Sequence, residues 1–178
     1  IVCLHDATVN RVTERSGSVR EFTRVGLADI RVFESDQWIP TLTQVFEAVP
    51  ADVPLHVELK ESGLAAEVID LAADIGREIY LSSFQTDCLR EARSAAPAVD
   101  RAYLFAEDPA SALSTADELD CRYIHPELGC CSTAFIETAH ARGLEVNAWT
   151  GRDRDMAQPL VNYGVDGLIA DSPTVIGS

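Results

Sequence analysis

The sequence predicts an α/β protein with a parallel sheet, of the (β/α)8 TIM barrel class, and three observations carry that prediction. Short β-rich runs alternate with amphipathic helical stretches at a spacing of about 20–25 residues, which is the mark of repeated βαβ units. Neither a G-x-G-x-x-G nor a G-x-x-x-x-G-K-[ST] loop occurs, so a nucleotide-binding open sheet loses its usual signature. Several strand candidates carry polar residues inside and at their C-terminal ends, which suits a barrel whose C-terminal rim builds the site.

In chain order, Ile1–His5 reads as a strand, followed by Asp6–Ile39, a polar, turn-rich excursion (Arg15-Ser16-Gly17, Glu34-Ser35-Asp36) with no crossover helix. Strands are then expected at Leu55–Lys60, Glu78–Ser83, Arg101–Phe105, Arg122–His125, Leu144–Thr150 and Gly167–Ala170. Helices are expected at Leu42–Val49, Leu64–Ile75, Asp87–Ala95, Pro109–Leu119, Ser132–Ala141 and Arg154–Tyr163. Ser132 is placed to cap the helix after it, and Gly143 and Gly164 follow helix ends. Six βα-type strands are visible where a barrel needs eight and about 250 residues. The abrupt apolar start at Ile1 therefore implies that roughly the first two strands and the first helix precede it. No linker or repeat divides the chain, and 1–178 reads as a single barrel domain.

Composition narrows the function. The 178 residues carry a formal charge of −15, and a pI near 4.5 sets the protein's own field against polyanions, so nucleic acid is not an expected partner. Thirteen arginines stand beside one lysine, and an acidic surface almost free of Lys suggests adaptation to high salt, where self-repulsion is screened. No apolar run is long enough to cross a bilayer, so stable membrane insertion is not expected. Five cysteines with no C-x-x-C spacing fit neither a disulfide framework nor a zinc site, and most of them read as small core residues in a reducing cytoplasm.

Chemistry concentrates at strand ends. In Pro54-Leu55-His56-Val57-Glu58-Leu59-Lys60, alternation puts His56, Glu58 and Lys60 on one face and the apolar residues on the other. In a barrel the polar face points into the lumen, where a carboxylate beside the only ammonium suits metal and anion recognition; the plainer alternative is a structural ion pair on an edge strand. His5 and Asp6 end an apolar run, and a histidine there can move protons near neutral pH with Asp6 orienting the ring. Trp149, two residues after Asn147 on the same face, can floor a pocket or simply fill core. His125-Pro126 and Asp171-Ser172-Pro173 close their strands, and His140 reads as a surface residue of a helix.

Together these segments resemble the glycerophosphodiester phosphodiesterases. The resemblance runs through His5-Asp6, Asn10-Arg11-Val12-Thr13, Gly17, Ile39-Pro40-Thr41-Leu42, Val57-Glu58-Leu59-Lys60, Ser82-Ser83-Phe84, Trp149-Thr150 and Gly164 to Pro173, in order and over nearly the whole chain. It implies a (β/α)8 barrel with a small insertion at Asp6–Ile39, and metal-dependent hydrolysis of a glycerophosphodiester to glycerol 3-phosphate and an alcohol. Two histidines would act as general acid and base, and three carboxylates would hold a divalent cation, Mg or Ca. His5 matches the second histidine, Glu58 the last metal carboxylate, Lys60 the lysine that steadies phosphate charge, and Trp149 an aromatic near the glycerol or leaving group. The family's His-Arg-Gly and Glu-x-Asp motifs would both lie before Ile1, and Ala170 stands where Thr is common. A small-molecule substrate is implied, and a homo-oligomer is left open. The competing expectations are a barrel directed at sphingomyelin or lysophospholipid, a Schiff-base aldolase-like barrel using Lys60, and a degenerate barrel without catalysis.

Overall fold

The computed structural model describes residues 1–175, which form two compact units: residues 1–54 with 67–78, and residues 55–66 with 79–175. The second holds a six-stranded sheet of β1 (Leu55–Glu58), β2 (Ile79–Ser83), β3 (Arg101–Phe105), β4 (Tyr123–Pro126), β5 (Glu145–Gly151) and β6 (Gly167–Ala170). The order is β1-β2-β3-β4-β5-β6 and every pair is parallel. A doubly wound sheet reverses its strand order at a switch point, and this one does not; sequential parallel order is how a (β/α) barrel is wound.

The sheet is curled. Parallel neighbours lie about 4.8 Å apart, so β1 and β4, three steps apart, would be separated by about 14 Å in a flat sheet. Yet the His56 ring on β1 and the His125 ring on β4 have centroids 5.0 Å apart. Phe84, just past β2, meets Trp149 of β5 at 5.5 Å across the same number of steps. Helices alternate with the strands along the chain: α3 (Ala65–Ile75), α4 (Thr86–Ala95), α5 (Pro109–Glu118), α6 (Thr133–Ala141) and α7 (Arg154–Tyr163). The Ser132 hydroxyl caps α6 by accepting from the Phe135 N–H at 3.2 Å, as expected. The outer face of the sheet is apolar, and Phe105, Ile124 and Val146 pack with Leu113 and Ala116 of α5 and Phe135, Ile136 and Ala139 of α6.

The first unit is mostly irregular. A short α1 (Arg24–Ala28) and a 3-10 turn (Val19–Glu21) lie within the excursion, and α2 (Leu42–Ala48) follows it, entered through a Thr41/Gln44 capping box. Val9, Leu27, Ile30 and Ile39 form its core. The expected strand Ile1–His5 does not form: its bonds go to the turn before α2, Cys3 N–H to the Pro40 carbonyl and Leu42 N–H to the Ile1 carbonyl, leaving one antiparallel bridge, Val2 with Thr41. An apolar run has strand propensity, but a ladder needs a neighbouring strand, and a proline-bearing turn offers only one pairing. Of the cysteines only Cys88 is fully buried, and all five are free thiols.

Arginines hold the N-terminal edge of the sheet. Arg101 opens β3 with its side chain only 3% exposed, and its guanidinium donates to the carbonyls of Pro97, Val99, Leu119 and Asp120 and to the Asp120 carboxylate. Arg122 reaches Asp100 at 2.9 Å and Glu145 at 3.0 Å. Removing Arg101 strands several carbonyls that water reaches poorly, so Arg101→Met is expected to lower unfolding stability by about 2–4 kcal/mol. A urea midpoint at pH 7 equal to that of the parent would show that these carbonyls are satisfied without it.

Candidate active site

The C-terminal end of β1 carries the strongest charge contact. Lys60 Nζ lies 2.6 Å from Glu58 Oε1, with the two side chains 38% and 25% exposed. At that exposure the pair is reachable by a ligand and does not bear the full desolvation cost of a buried pair. Its backbone is tied to the end of β2: the Ser83 hydroxyl donates to the Leu59 carbonyl at 2.7 Å, and the Gln85 amide donates to the Lys60 carbonyl at 2.7 Å. These ties give a physical reason for the Ser82-Ser83-Phe84-Gln85 run, since a short strand end that carries two charges needs its carbonyls held.

Below this pair the concave face holds rings and amides. His56, two residues before Glu58 on the same face, stacks on Tyr80 with centroids 4.5 Å apart, and its Nε2 meets the Ser82 hydroxyl at 2.5 Å. Tyr80 and Tyr123 are 4.9 Å apart. His125 is fully buried and sits edge-on to His56. The Asn147 amide meets His125 Nε2 at 3.3 Å. Burial drives the charged form out of both imidazoles: His56 is lowered to about 4, partly offset by Glu58, and His125 to about 3, with His56 adding repulsion. Burial also lifts Tyr80 to about 12. At neutral pH this layer is therefore uncharged, and His125 Nδ1 has no hydrogen-bond partner among the described residues.

Trp149 stands above this layer. Its indole N–H donates to the His125 carbonyl at 2.8 Å and its ring takes the edge of Phe84, which is 46% exposed. An indole fixed at its polar tip presents an apolar face at the strand ends.

His5 lies in the first unit with its side chain 77% exposed, and its Nδ1 is 2.7 Å from Asp6 Oδ1. Arg11 grips the same carboxylate, Nε to Oδ2 at 2.7 Å and Nη2 to Oδ1 at 3.0 Å. These hydrogen bonds, Arg11 first and then His5, hold Asp6 well below the usual carboxylate range. An ionised carboxylate only accepts, so His5 Nδ1 carries the proton and Nε2 is the nitrogen left to take or give one. The loop that shapes this dyad uses the expected residues. The Asn10 amide oxygen accepts the Gly17 N–H at 3.0 Å, and Gly17, at φ +138, sits where an added Cβ would press on Glu21.

The structure thus brings Glu58 and Lys60 into contact and places Trp149 on the sheet with the His56–His125 layer, while His5 keeps its own partners in the first unit. His140, on α6, is paired with Asp166 at 2.8 Å. Asp171 follows β6, and the side chain of Pro173 lies outside the described ones. Tyr80 and Tyr123 were not singled out from the sequence; their alternation within β2 and β4 marks a face, and the curl decides what that face meets. No three His, Cys, Asp or Glu side chains converge among the described residues, and Glu58 is already engaged by Lys60. One carboxylate falls short of the six or so oxygens a hard cation takes, so these residues do not by themselves fit a divalent ion. Burial pushes Cys121 and Cys131 up to about 12, which leaves neither as a thiolate nucleophile.

The model of the glycerophosphoryl diester phosphodiesterase family matches residues 1–175. A glycerophosphodiester phosphodiesterase of Caldanaerobacter subterraneus is 26% identical over 99% of this chain and 78% of its own. A protein of Bacillus subtilis described as a putative glycerophosphodiester phosphodiesterase is 26% identical over 99% of this chain and 79% of its own. Among solved structures, an Oleispira antarctica phosphodiesterase in complex with the product sn-glycerol-3-phosphate has TM-score 0.87 at 24% identity, covering 97% of this chain and 76% of that one. A second, from Agrobacterium tumefaciens, has TM-score 0.87 at 20% identity over 97% of this chain and 76% of that one. At these identities the structural likeness speaks for the fold, and the (β/α) barrel class read from the strand order agrees with it.

The uncharged histidine layer makes stability depend on pH with a definite sign. Unfolded histidines titrate near 6.5 and these two near 4 and 3 when folded, so between those values the unfolded chain binds more protons. Their contribution is complete above about pH 6.5 and is lost as pH falls toward 4 and below, by about 3 kcal/mol for His56 and about 5 kcal/mol for His125. Urea midpoints measured from pH 7.5 down to 4 should fall less steeply in a His56→Asn/His125→Asn double variant than in the parent. Equal slopes would mean that neither ring is held neutral.

Proposed function

Because the chain belongs to the glycerophosphoryl diester phosphodiesterase family and is on that ground a phosphoric diester hydrolase, we propose that it cleaves glycerophosphodiesters to glycerol 3-phosphate and an alcohol with His5 as one member of the acid/base pair. The product found in the Oleispira structure supports that substrate class. The observation that carries the reading is the Glu58–Lys60 pair at the C-terminal end of β1, where barrel enzymes keep their chemistry.

A phosphodiester is an anion that resists attack by a second oxygen, and in a protein of charge −15 it needs a local cation. Lys60 supplies one; Glu58 keeps it at the strand end until the substrate's oxygens compete for it. His5, with Nδ1 held by Asp6, offers Nε2 to take a proton from the nucleophile or give one to the departing alkoxide. The nucleophile is water or a hydroxyl of the substrate, the latter favoured by being intramolecular. Trp149 lies against the glycerol or the leaving group. A divalent cation, Mg or Ca, would find in Glu58 one carboxylate ligand. A cytoplasmic setting belongs to the same proposal, and no helix among the described residues is long and apolar enough to cross a membrane.

Release of glycerol 3-phosphate from glycerophosphocholine by the full chain tests the assignment. His5→Ala is expected to lower kcat by about 10²–10⁴ with little change in KM, as loss of a proton-transfer group does. Glu58→Gln is expected to abolish turnover while leaving the unfolding midpoint near the parent's. A His5 variant impaired through KM alone would make that residue a binding group, and full turnover by the Glu58 variant would overturn the role given to the pair.

A further inference from the structure

We infer that Asn147 is a positioning residue that fixes the indole of Trp149 through His125. The inference rests on Trp149 serving the proposed substrate site, and it adds a residue that acts through His125. Asn147 and Trp149 are two apart on β5 and share its concave face. Trp149 is anchored by its N–H to the main-chain carbonyl of His125 at 2.8 Å, so the indole goes where that stretch of β4 goes. His125 is in turn held by its side chain: the ring has no exposure, its edge meets His56 and Tyr80, and its Nε2 lies 3.3 Å from the Asn147 amide. The chain of contacts runs from the Asn147 amide to the His125 ring, then from the His125 carbonyl to the Trp149 N–H.

The chemistry of the contact is specific. Asn147 donates one N–H toward His125 Nε2, which suits an amide and suits neither a carboxylate nor an apolar side chain. With Nε2 accepting, the His125 proton sits on Nδ1, the tautomer that an uncharged ring permits. Loss of the amide leaves Nε2 buried and unpaired, which the ring relieves by turning or by shifting β4. Room for Asn147 is also built in. Gly167, opposite it in the β5–β6 register, has no side chain; a Cβ there would overlap Asn147 Oδ1 and lie 3.1 Å from its Cγ. Two independent substitutions therefore disturb the same amide, one by deleting it and one by displacing it.

The experiment uses Trp149 as its own reporter. Trp38→Phe leaves Trp149 as the sole tryptophan, and Asn147→Ala and Gly167→Ala are each added to that background in the full chain. Both are expected to move the Trp149 emission to the red and to raise its quenching by acrylamide. KM for glycerophosphocholine is expected to rise about fivefold to tenfold, the size of one lost hydrogen bond, with kcat within about a factor of two. Unchanged emission and quenching in both variants overturns the positioning role, and Gly167→Ala alone decides the matter if Asn147→Ala does not fold. A shifted emission with unchanged KM upholds the positioning and overturns instead the substrate-binding role given to Trp149.

Discussion

A curled parallel sheet has a concave face that must be filled from its own strands, and every feature of the second unit answers to that constraint. Barrels usually meet it with branched apolar residues in layers. Here His56, Tyr80, Tyr123, His125 and Asn147 meet it with flat rings and one amide. Flat groups pack closely across strands three steps apart, but each brings a polar atom into a water-poor space. The hydrogen bonds of Ser82 to His56 and of Asn147 to His125, and the loss of charge from both imidazoles, are how that filling is tolerated.

The electrostatics of the chain sort by location. An overall charge of −15 works against any anion, so a phosphate site has to be local and its cation kept in place. Most of the arginines that could compete are committed elsewhere. Arg101 is buried among carbonyls, Arg122 bridges Asp100 and Glu145, Arg142 pairs with Asp117 of α5, and Arg11 holds Asp6. Lys60, a compact point charge on a flexible stem, is paired at short range with one carboxylate in a place that a ligand reaches. Arginine suits the fixed, multidentate tasks and the single lysine suits the exchangeable one.

Much of this was legible in the sequence because periodicity and side-chain alternation are local properties. The strands Arg101–Phe105 and Gly167–Ala170 and the helix Arg154–Tyr163 fall where their patterns put them, and the Glu58–Lys60 contact follows from their spacing on one strand face. Pairing is not local, which is why Ile1–His5, with all the composition of a strand, makes a single bridge to Thr41. His125 read as a strand-closing residue because proline follows it, yet it is among the most buried side chains; the ring packing that buries it comes from β1 and β2, far away in sequence. The two tyrosines of the concave face were hidden for the same reason. The dyad of His5 and Asp6 was legible as a pair of neighbours, whereas the grip of Arg11 depended on a loop conformation that composition does not specify.

The layering explains how a site on short strands can be held to the accuracy that catalysis demands. Each concave face repeats every two residues, so a strand that gives one residue to the inner layer gives the next of that face to the mouth: His56 and then Glu58, Asn147 and then Trp149. The backbone between the two members is a single extended step with little freedom. Rigid packing of the lower residue therefore fixes the direction in which the upper one leaves the sheet, and the cross-strand bonds of the lower layer set the upper residues relative to one another. A polar lower layer adds something an apolar one lacks, because hydrogen bonds specify ring orientation as well as depth. The cost is the acid sensitivity of two neutral histidines, whose stabilisation is lost as pH falls from about 6.5 toward 4 and below.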